Sequence, residues 1–380
     1  KKIYDISQRR IVSLWLPNFV IDRHLIIFKK YAGGHFSNTA SPYVTIIKKN
    51  KLLRIGAINS VAREKGILPG MLLNDARALV KNLKVCSYPE NSDTLTLRHL
   101  AEWCGFCTPW TAIDNYCNDQ FHKIGFGLWL DITGCSHLFN NELNLLQLLV
   151  GRLNRVGFYV RAAVASTPGA AWGAARFSTT PCQSTIVVHP DQTQDALLSL
   201  PVAALRIPAA ICLELEKLGL STVGKLYNIS RGSLETRFGK IIIHRIEQAL
   251  GQKREPILSL VKSSKFRTVL TFTDLIVSIS DVERAVENLV PYLCDKMETA
   301  ECGARKIELI YYRVDCSLDR IYIETSTLSR DPNRLIQLFL DRIYSINIGF
   351  GIESIVLNVL IFQSFHYKQL SLHKKKLKLH

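Results

Sequence analysis

Between Phe266 and Phe362 the spacing of apolar residues switches repeatedly between the strand period and the helix period, and few topologies satisfy that alternation. Phe266–Asp274 reads as a strand, Asp281–Thr299 as a helix, and Lys306–Val314 and Arg320–Ser326 as strands. Arg334–Ile346 reads as a helix and Ile352–Phe362 as a last strand. The order β-α-β-β-α-β is the split-βαβ or ferredoxin-like module. Such a module accounts for only part of a 380-residue chain, which is long enough for about two to four domains.

The earlier residues divide into two styles. Arg10–Leu16 (RIVSLWL) and residues 124–133 (IGFGLWLDIT) are short, almost wholly apolar runs, as expected of strands buried on both faces. Residues 43–59 form a hairpin pattern with a polar turn at Lys48–Lys51, followed by a helical stretch, Asn74–Lys81. Leucines at helical spacing follow Asn141, with Arg152 and Arg155 near the end that favours cations, and "FYVRAAVAS" returns as a strand. Strand–helix–strand segments of this kind build an α/β or α+β layer. From Leu200 to about Pro256 the pattern changes to short helices broken by Pro and Gly, a small helical domain.

Net charge narrows the partners. Lys and Arg exceed Asp and Glu by 16, and pI is near 9.4, with much of the excess in the first eighty residues. A basic globular chain suits a polyanion, of which nucleic acid is the commonest. There is no apolar run of bilayer length and no secretory pattern at the start. Ten irregularly spaced cysteines make neither a disulfide framework nor a zinc set, so a reducing cytoplasm is expected.

"WCGFCTPW" (103–110) raises the possibility of a thiol–disulfide centre at Cys104 and Cys107. A reactive pair opens a helix, where the dipole stabilises a thiolate. Here Asp93–Trp103 reads as a helix that the cysteines close, and the dipole there is negative. Two small semi-buried thiols fit that geometry better.

Taken in order, a strand-rich basic domain, a helical domain and a βαββαβ module resemble the Y-family translesion DNA polymerases. "NSVAREKGILPGM" (59–71) resembles that family's fingers segment, "LDITGC" (130–135) its second catalytic strand and "LEKLGLSTVGKL" (215–226) its thumb. "WCGFCTPW", "LDITGCSHLF", "STPGAAWGAARF", "LPVAALR" and "RFGKIIIHRIEQALG" resemble the ImuB-like, catalytically degenerate branch. The resemblance implies an α+β right-hand architecture: palm at 8–20 and 80–180, fingers at 21–79, helical thumb at 181–256. It further implies a ferredoxin-like little finger at 262–365 and a disordered tail at 366–380.

Polymerases of this class hold two Mg²⁺ ions about 3.5–4 Å apart on strand carboxylates. The positions of the family's first-strand Asp-x-Asp fall at Trp15 and Pro17, and those of the second-strand Asp-Glu at Phe126 and Gly127. None of the four ligates a hard cation, so no metal or other cofactor is expected. Asp131 lies roughly 13–16 Å further along the strand and suits a structural hydrogen bond. The resemblance also places the fingers Tyr at Ser60, its Arg partner at Arg63, the ribose-excluding residue at Val20 and a palm Lys near Pro168. The thumb Gly-x-Gly, whose amides meet a DNA phosphate, becomes Arg206-Ile207-Pro208, leaving Arg206 as either a substitute phosphate contact or a surface residue.

The implied function is that of an inactive polymerase homologue serving as an adaptor in damage-induced mutagenesis. Its implied partners are primer-template DNA, the bacterial sliding clamp, a RecA-like ImuA-type protein and an error-prone C-family polymerase, all at the bacterial nucleoid and none in a membrane. "QLSLH" in the tail resembles clamp-binding peptides, with Gln369 at a pocket rim and Leu370 and Leu372 in an apolar groove. Rival readings are an active translesion polymerase with rearranged ligands and a general DNA-binding protein.

Overall fold

Six residues, Ile11–Leu16, form the central strand β1, and all but Trp15 are buried. A strand flanked on both edges and both faces has no use for alternation, which is why IVSLWL is so uniformly apolar. The computed structural model describes residues 9–31, 41–49, 52–87, 90–114, 126–260 and 264–365. The chain divides into two units, Lys1–Ser263 and Ser264–His380.

In the first unit, β2 (Tyr43–Lys49), β3 (Leu52–Ile58) and β4 (Lys84–Ser87) make a small sheet in the order β3-β2-β4. Its hairpin is antiparallel and its β2–β4 pair parallel. Val44, Ile55, Ile58, Ile67, Leu73 and Val80 form its core. The larger sheet takes β5 (Thr111–Asp114), β6 (Phe126–Asp131), β7 (Arg161–Ala165) and β8 (Thr185–Val187) around β1, in the order β5-β6-β1-β7-β8. Helices Glu90–Trp103 and Glu142–Val156 pack on this sheet, the second capped by Asn141 at its start and closed by left-handed Gly157. Helix Pro168–Gly173 lies against β1 and β7 and continues as a wider turn, Ala174–Ser178. Beyond it run the short helices of Thr193–Ala249, and their buried side chains share one core with Ile11, Trp129, Ala163 and Trp172 of the sheet layer.

The helix expected before Cys104 runs over Glu90–Trp103, and the two cysteines close it as a 3-10 turn. Both are buried, and the Cys107 thiol donates to the Cys104 carbonyl at 3.0 Å. They are packing residues.

The second unit follows the expected element order. β9 (Arg267–Ile276), helix Ile279–Thr299, β10 (Cys302–Arg313), β11 (Leu318–Ser329), helix Pro332–Ile343 and β12 (Ile352–Ser364) form one antiparallel sheet. The order is β11-β10-β12-β9, so two split βαβ units interleave. The inner strand β10 is buried over most of its length and β12 from Ile352 to Val359, whereas most of β9 and β11 is half-buried or exposed. Inner strands are covered by neighbours on both sides, and the lower polarity of β12 (IESIVLNVLIF) reflects that. Leu289, Val290, Leu293, Leu335 and Phe339 from the two helices close the core.

Candidate functional site

Antiparallel pairing sets Asp114, Gly127, Trp15 and Arg161 in one row across β5, β6, β1 and β7. Directly opposed residues on neighbouring strands share a face, so this row is where two strands would jointly hold metal. Phe126 pairs with Leu16 one residue away, and its ring meets Phe19 at 4.8 Å. Pro17 sits in the turn just beyond β1. Of the positions expected to share one site, Trp15 and Gly127 are therefore brought together on one face, Phe126 turns to the opposite face, and Pro17 stands just beyond the strand.

What fills the site comes from elsewhere in the chain. Arg176, from the turn Ala174–Ser178, is fully enclosed, and its Nη2 donates to Asp114 Oδ2 at 2.8 Å. Trp172 Nε1 donates to the same oxygen at 2.8 Å, and the Arg176 guanidinium lies 4.0 Å from the Trp172 ring centroid. Arg176 Nη1 also donates to Ser13 Oγ at 3.3 Å, and the guanidinium stands 5.7 Å from the Trp15 ring. On the other side of the row, Arg161 is 5.2 Å from Trp15 and donates to the Tyr159 hydroxyl at 3.0 Å.

Gly127 is needed here for room. A Cβ at that position would lie 2.9 Å from the Leu14 carbonyl oxygen, 3.0 Å from Arg176 Nη2 and 3.1 Å from Asp114 Oδ2. A longer acidic side chain would meet the same atoms first. The cation of Arg176 and the carboxylate of Asp114 thus occupy the space a ligand at 127 would need.

Burial pushes the Arg176 guanidinium down to about 9; Asp114 opposes that shift and the positive charge of Arg206 adds to it. That still leaves Arg176 charged at neutral pH. Burying the pair has a large desolvation cost, offset here by three hydrogen bonds and an aromatic face. The residues present do not fit a Mg²⁺ pair. Asp114 is the only carboxylate in the row and is already taken, and among the described residues no group of three His, Cys, Asp or Glu could hold a metal ion.

The remaining expected positions sort by exposure. Asp131, at the far end of β6, accepts from Thr133 N at 3.2 Å, Thr133 Oγ1 at 2.6 Å and Arg9 Nε at 3.0 Å. It ties the strand end. Ser60 and Arg63 lie exposed on the short helix Ser60–Glu64, capped by Asn59, while Val20 is buried. Pro168 is the first residue of its helix, and Gly169 beside it packs within 2.9 Å, measured to its would-be Cβ, of the Ala249 Cα.

Arg206 departs from expectation. It holds a left-handed backbone, φ 57° and ψ 38°, of the kind glycine adopts most readily. Its side chain, however, is buried, makes two 2.6 Å bonds to the Glu255 carboxylate and lies 5.7 Å from the Trp129 ring. It is neither a surface residue nor, in this arrangement, a phosphate contact. A guanidinium on a small-residue core finds its carboxylate inside the fold before it finds one in solvent. Gln369, Leu370 and Leu372 lie outside the described residues.

Sequence reasoning passed over Asp114, Trp172 and Arg176. One signal was present: a lone Arg in "PGAAWGAARF", a helix otherwise small and apolar, has to be paired inside.

The chain is 33% identical to protein ImuB of Caulobacter vibrioides, in two strains, over 293 residues. That match covers 77% of this chain, and the chain spans 61% of the length of those relatives. A crystal structure of DinB from Sulfolobus solfataricus aligns over 93% of the chain and 99% of its own, with TM-score 0.52 and 15% identity. An insertion ternary complex of Dbh DNA polymerase gives the same values. The fold is that of the Y-family DNA polymerases, and the sequence is similar to ImuB. No family model matches the chain. No helix among the described residues is long and apolar enough to cross a membrane.

Proposed function

We propose that this chain is a catalytically inactive Y-family polymerase homologue that binds DNA and serves as an adaptor in damage-induced mutagenesis. The observation that carries the reading is the buried Arg176–Asp114 pair packed against Gly127, in the row where two strands would hold metal. An arginine in that space supplies a fixed positive charge and excludes the divalent ions on which phosphoryl transfer depends. The fold supports a palm role for the five-stranded sheet, a fingers role for the three-stranded sheet, a thumb role for the helices of Thr193–Ala249 and a little-finger role for the second unit.

DNA binding rests on the excess of 16 positive charges and on exposed Arg63 of the fingers segment. Arg206 serves in a different capacity, holding the start of helix Ala209–Lys217 to Glu255. The partners in this reading are primer-template DNA, the sliding clamp through Gln369, Leu370 and Leu372, a RecA-like protein and a C-family polymerase that performs synthesis.

The test is a primer-extension assay on purified chain with Mg²⁺ and with Mn²⁺, run beside a DNA-binding titration at several salt concentrations. The expected result is no extension, together with sequence-independent binding that weakens steeply as salt rises. Extension by the wild-type chain sinks the inactive reading, and salt-independent binding sinks the DNA reading. For the tail, a Phe365–His380 peptide should bind the sliding clamp. Replacing Gln369 and Leu372 by Ala should abolish that binding.

A further inference from the structure

Positive charge is unevenly shared along the chain. Residues 43–87, the three-stranded sheet with its short helices, hold nine Lys and Arg against two acids, Glu64 and Asp75. Residues 88–263 hold 16 against 14, and residues 264–365 of the second unit hold 11 against 14. The remaining excess lies at the ends, with 7 against 2 in residues 1–42 and 5 against none in residues 366–380. The second unit is thus net negative on a chain of net charge +16.

The small sheet shows its cations on a fixed frame. Helices Ser60–Glu64 and Leu73–Leu79 commit Ala62, Leu73 and Ala76 to the core under β2 and β3. Arg63, Lys65, Arg77 and Lys81 stand exposed on or just past those helices. Asn59 Oδ1 accepts from Ala62 N at 2.9 Å and Tyr43 N at 3.1 Å, and Arg54 Nη1 donates to the Gly70 carbonyl at 2.8 Å. These bonds fix the first helix and the loop that follows it. Exposed Leu68 and Leu79 flank the cations in sequence, apolar surface that the sugar edge of a nucleic acid can cover. None of the four cations enters an ion pair among the described residues.

In the second unit, cations are matched with acids. Leu309 and Leu357 face the core, so alternate residues of β10 and β12 face the other way. On that open face Lys306 meets Glu324 at 2.6 Å, and Arg320 stands 4.0 Å from Glu308, which also accepts from Asn358 Nδ2 at 2.9 Å. Arg267, opposite Asn358, is the third cation there. Elsewhere in the unit Arg284, Arg313 and Arg330 pair with Asp281, Asp319 and Glu298. Phosphate binding gains from counterion release only where a cation is not already neutralised by a protein carboxylate. A net negative unit also repels a polyanion at longer range.

We propose that residues 43–87 make this chain's main contact with the phosphate backbone of DNA, through Arg63, Lys65, Arg77 and Lys81, and that the open sheet face of the second unit does not hold the duplex. The proposal rests on the DNA-binding reading and assigns that binding to one surface. The test titrates full-length chain against a labelled primer-template of mixed sequence at several salt concentrations. Arg63→Gln, Lys65→Gln, Arg77→Gln and Lys81→Gln together, all at exposed sites, should leave thermal unfolding unchanged. They should weaken binding by about tenfold or more and reduce the log–log salt slope by about 2–4. Arg267→Gln, Arg305→Gln, Lys306→Gln and Arg320→Gln together remove the same charge from the second unit and should change affinity by less than about threefold. Should the first variant unfold early, Arg63→Gln with Lys65→Gln carries the test, with about half the change in slope expected. If the first variant binds as tightly as the wild type, or the second loses as much as the first, the assignment is wrong and the DNA-binding reading stands. If the wild-type chain does not bind the primer-template, that reading fails and takes this surface with it.

Discussion

The two ends of strand β6 treat negative charge in opposite ways. At one end Asp131 survives, half-buried, tied to Thr133 two residues on and to Arg9. At the other, Gly127 has no side chain, and the nearest carboxylate, Asp114 of β5, is sealed with Arg176 and Trp172. The first arrangement is partly open to water, the second sealed from it. An exposed pair contributes little because water competes for both partners, whereas a buried one leaves a bare charge when either member is lost. In the sealed row, the space beside Gly127 is filled by a cation and aromatic faces.

The largest effect that could break this contrast is at Arg176. Arg176→Met should lower stability by about 3–5 kcal/mol in urea unfolding, since buried Asp114 loses its paired cation. Changing Asp114→Leu as well should recover most of that loss. If the single change costs under about 1 kcal/mol, the ion pair does not hold this end of the sheet.

Gly127→Ala comes next. The contacts a Cβ would make there predict a loss of about 2 kcal/mol, and Gly127→Glu should be worse. Unchanged melting of either variant would show that the row has slack and that an acid could be restored.

A third carboxylate sharpens the comparison because no cation among the described residues donates to it. Asp22 is buried and accepts from Tyr159 N at 2.8 Å; burial, only partly opposed by that bond, raises its carboxyl from 3.8 to about 7. The folded state therefore holds a proton that the unfolded chain releases. The stability it contributes is fully present below pH 3.8 and is lost as pH rises through about 7. Asp22→Asn should make the protein more stable at pH 8 by roughly 2–4 kcal/mol, and flatten its pH profile between those values. A profile unchanged by the substitution would mean Asp22 is ionised in the fold.

The smallest effect belongs to Asp131. Asp131→Asn keeps the shape and removes the charge paired with Arg9, so a loss of about 1 kcal/mol is expected, reduced by added salt. A loss as large as that at Arg176 would erase the contrast.

Much of this molecule is legible along the chain. The βαββαβ order of the second unit followed from apolar spacing, because a strand and a helix bury one face at different periods. The runs around Ile11 and Leu128 announced doubly buried strands for the same reason. The short strands β4, β5 and β8 escaped, since three or four residues carry too little periodicity to stand out. Asp114 sits at the end of one of them, and so escaped with it.

Sequence by itself determined that no carboxylates stand at Trp15, Pro17, Phe126 and Gly127, and that the chain carries a large positive excess. Those are matters of residue identity, fixed before folding. That Arg176 fills the space beside Gly127 and that Arg206 turns inward to Glu255 were decided only in three dimensions. Asp114 and Arg176 stand 62 residues apart. Which guanidinium reaches which carboxylate depends on strand register and on a helix laid across the sheet, and chain-local spacing encodes neither.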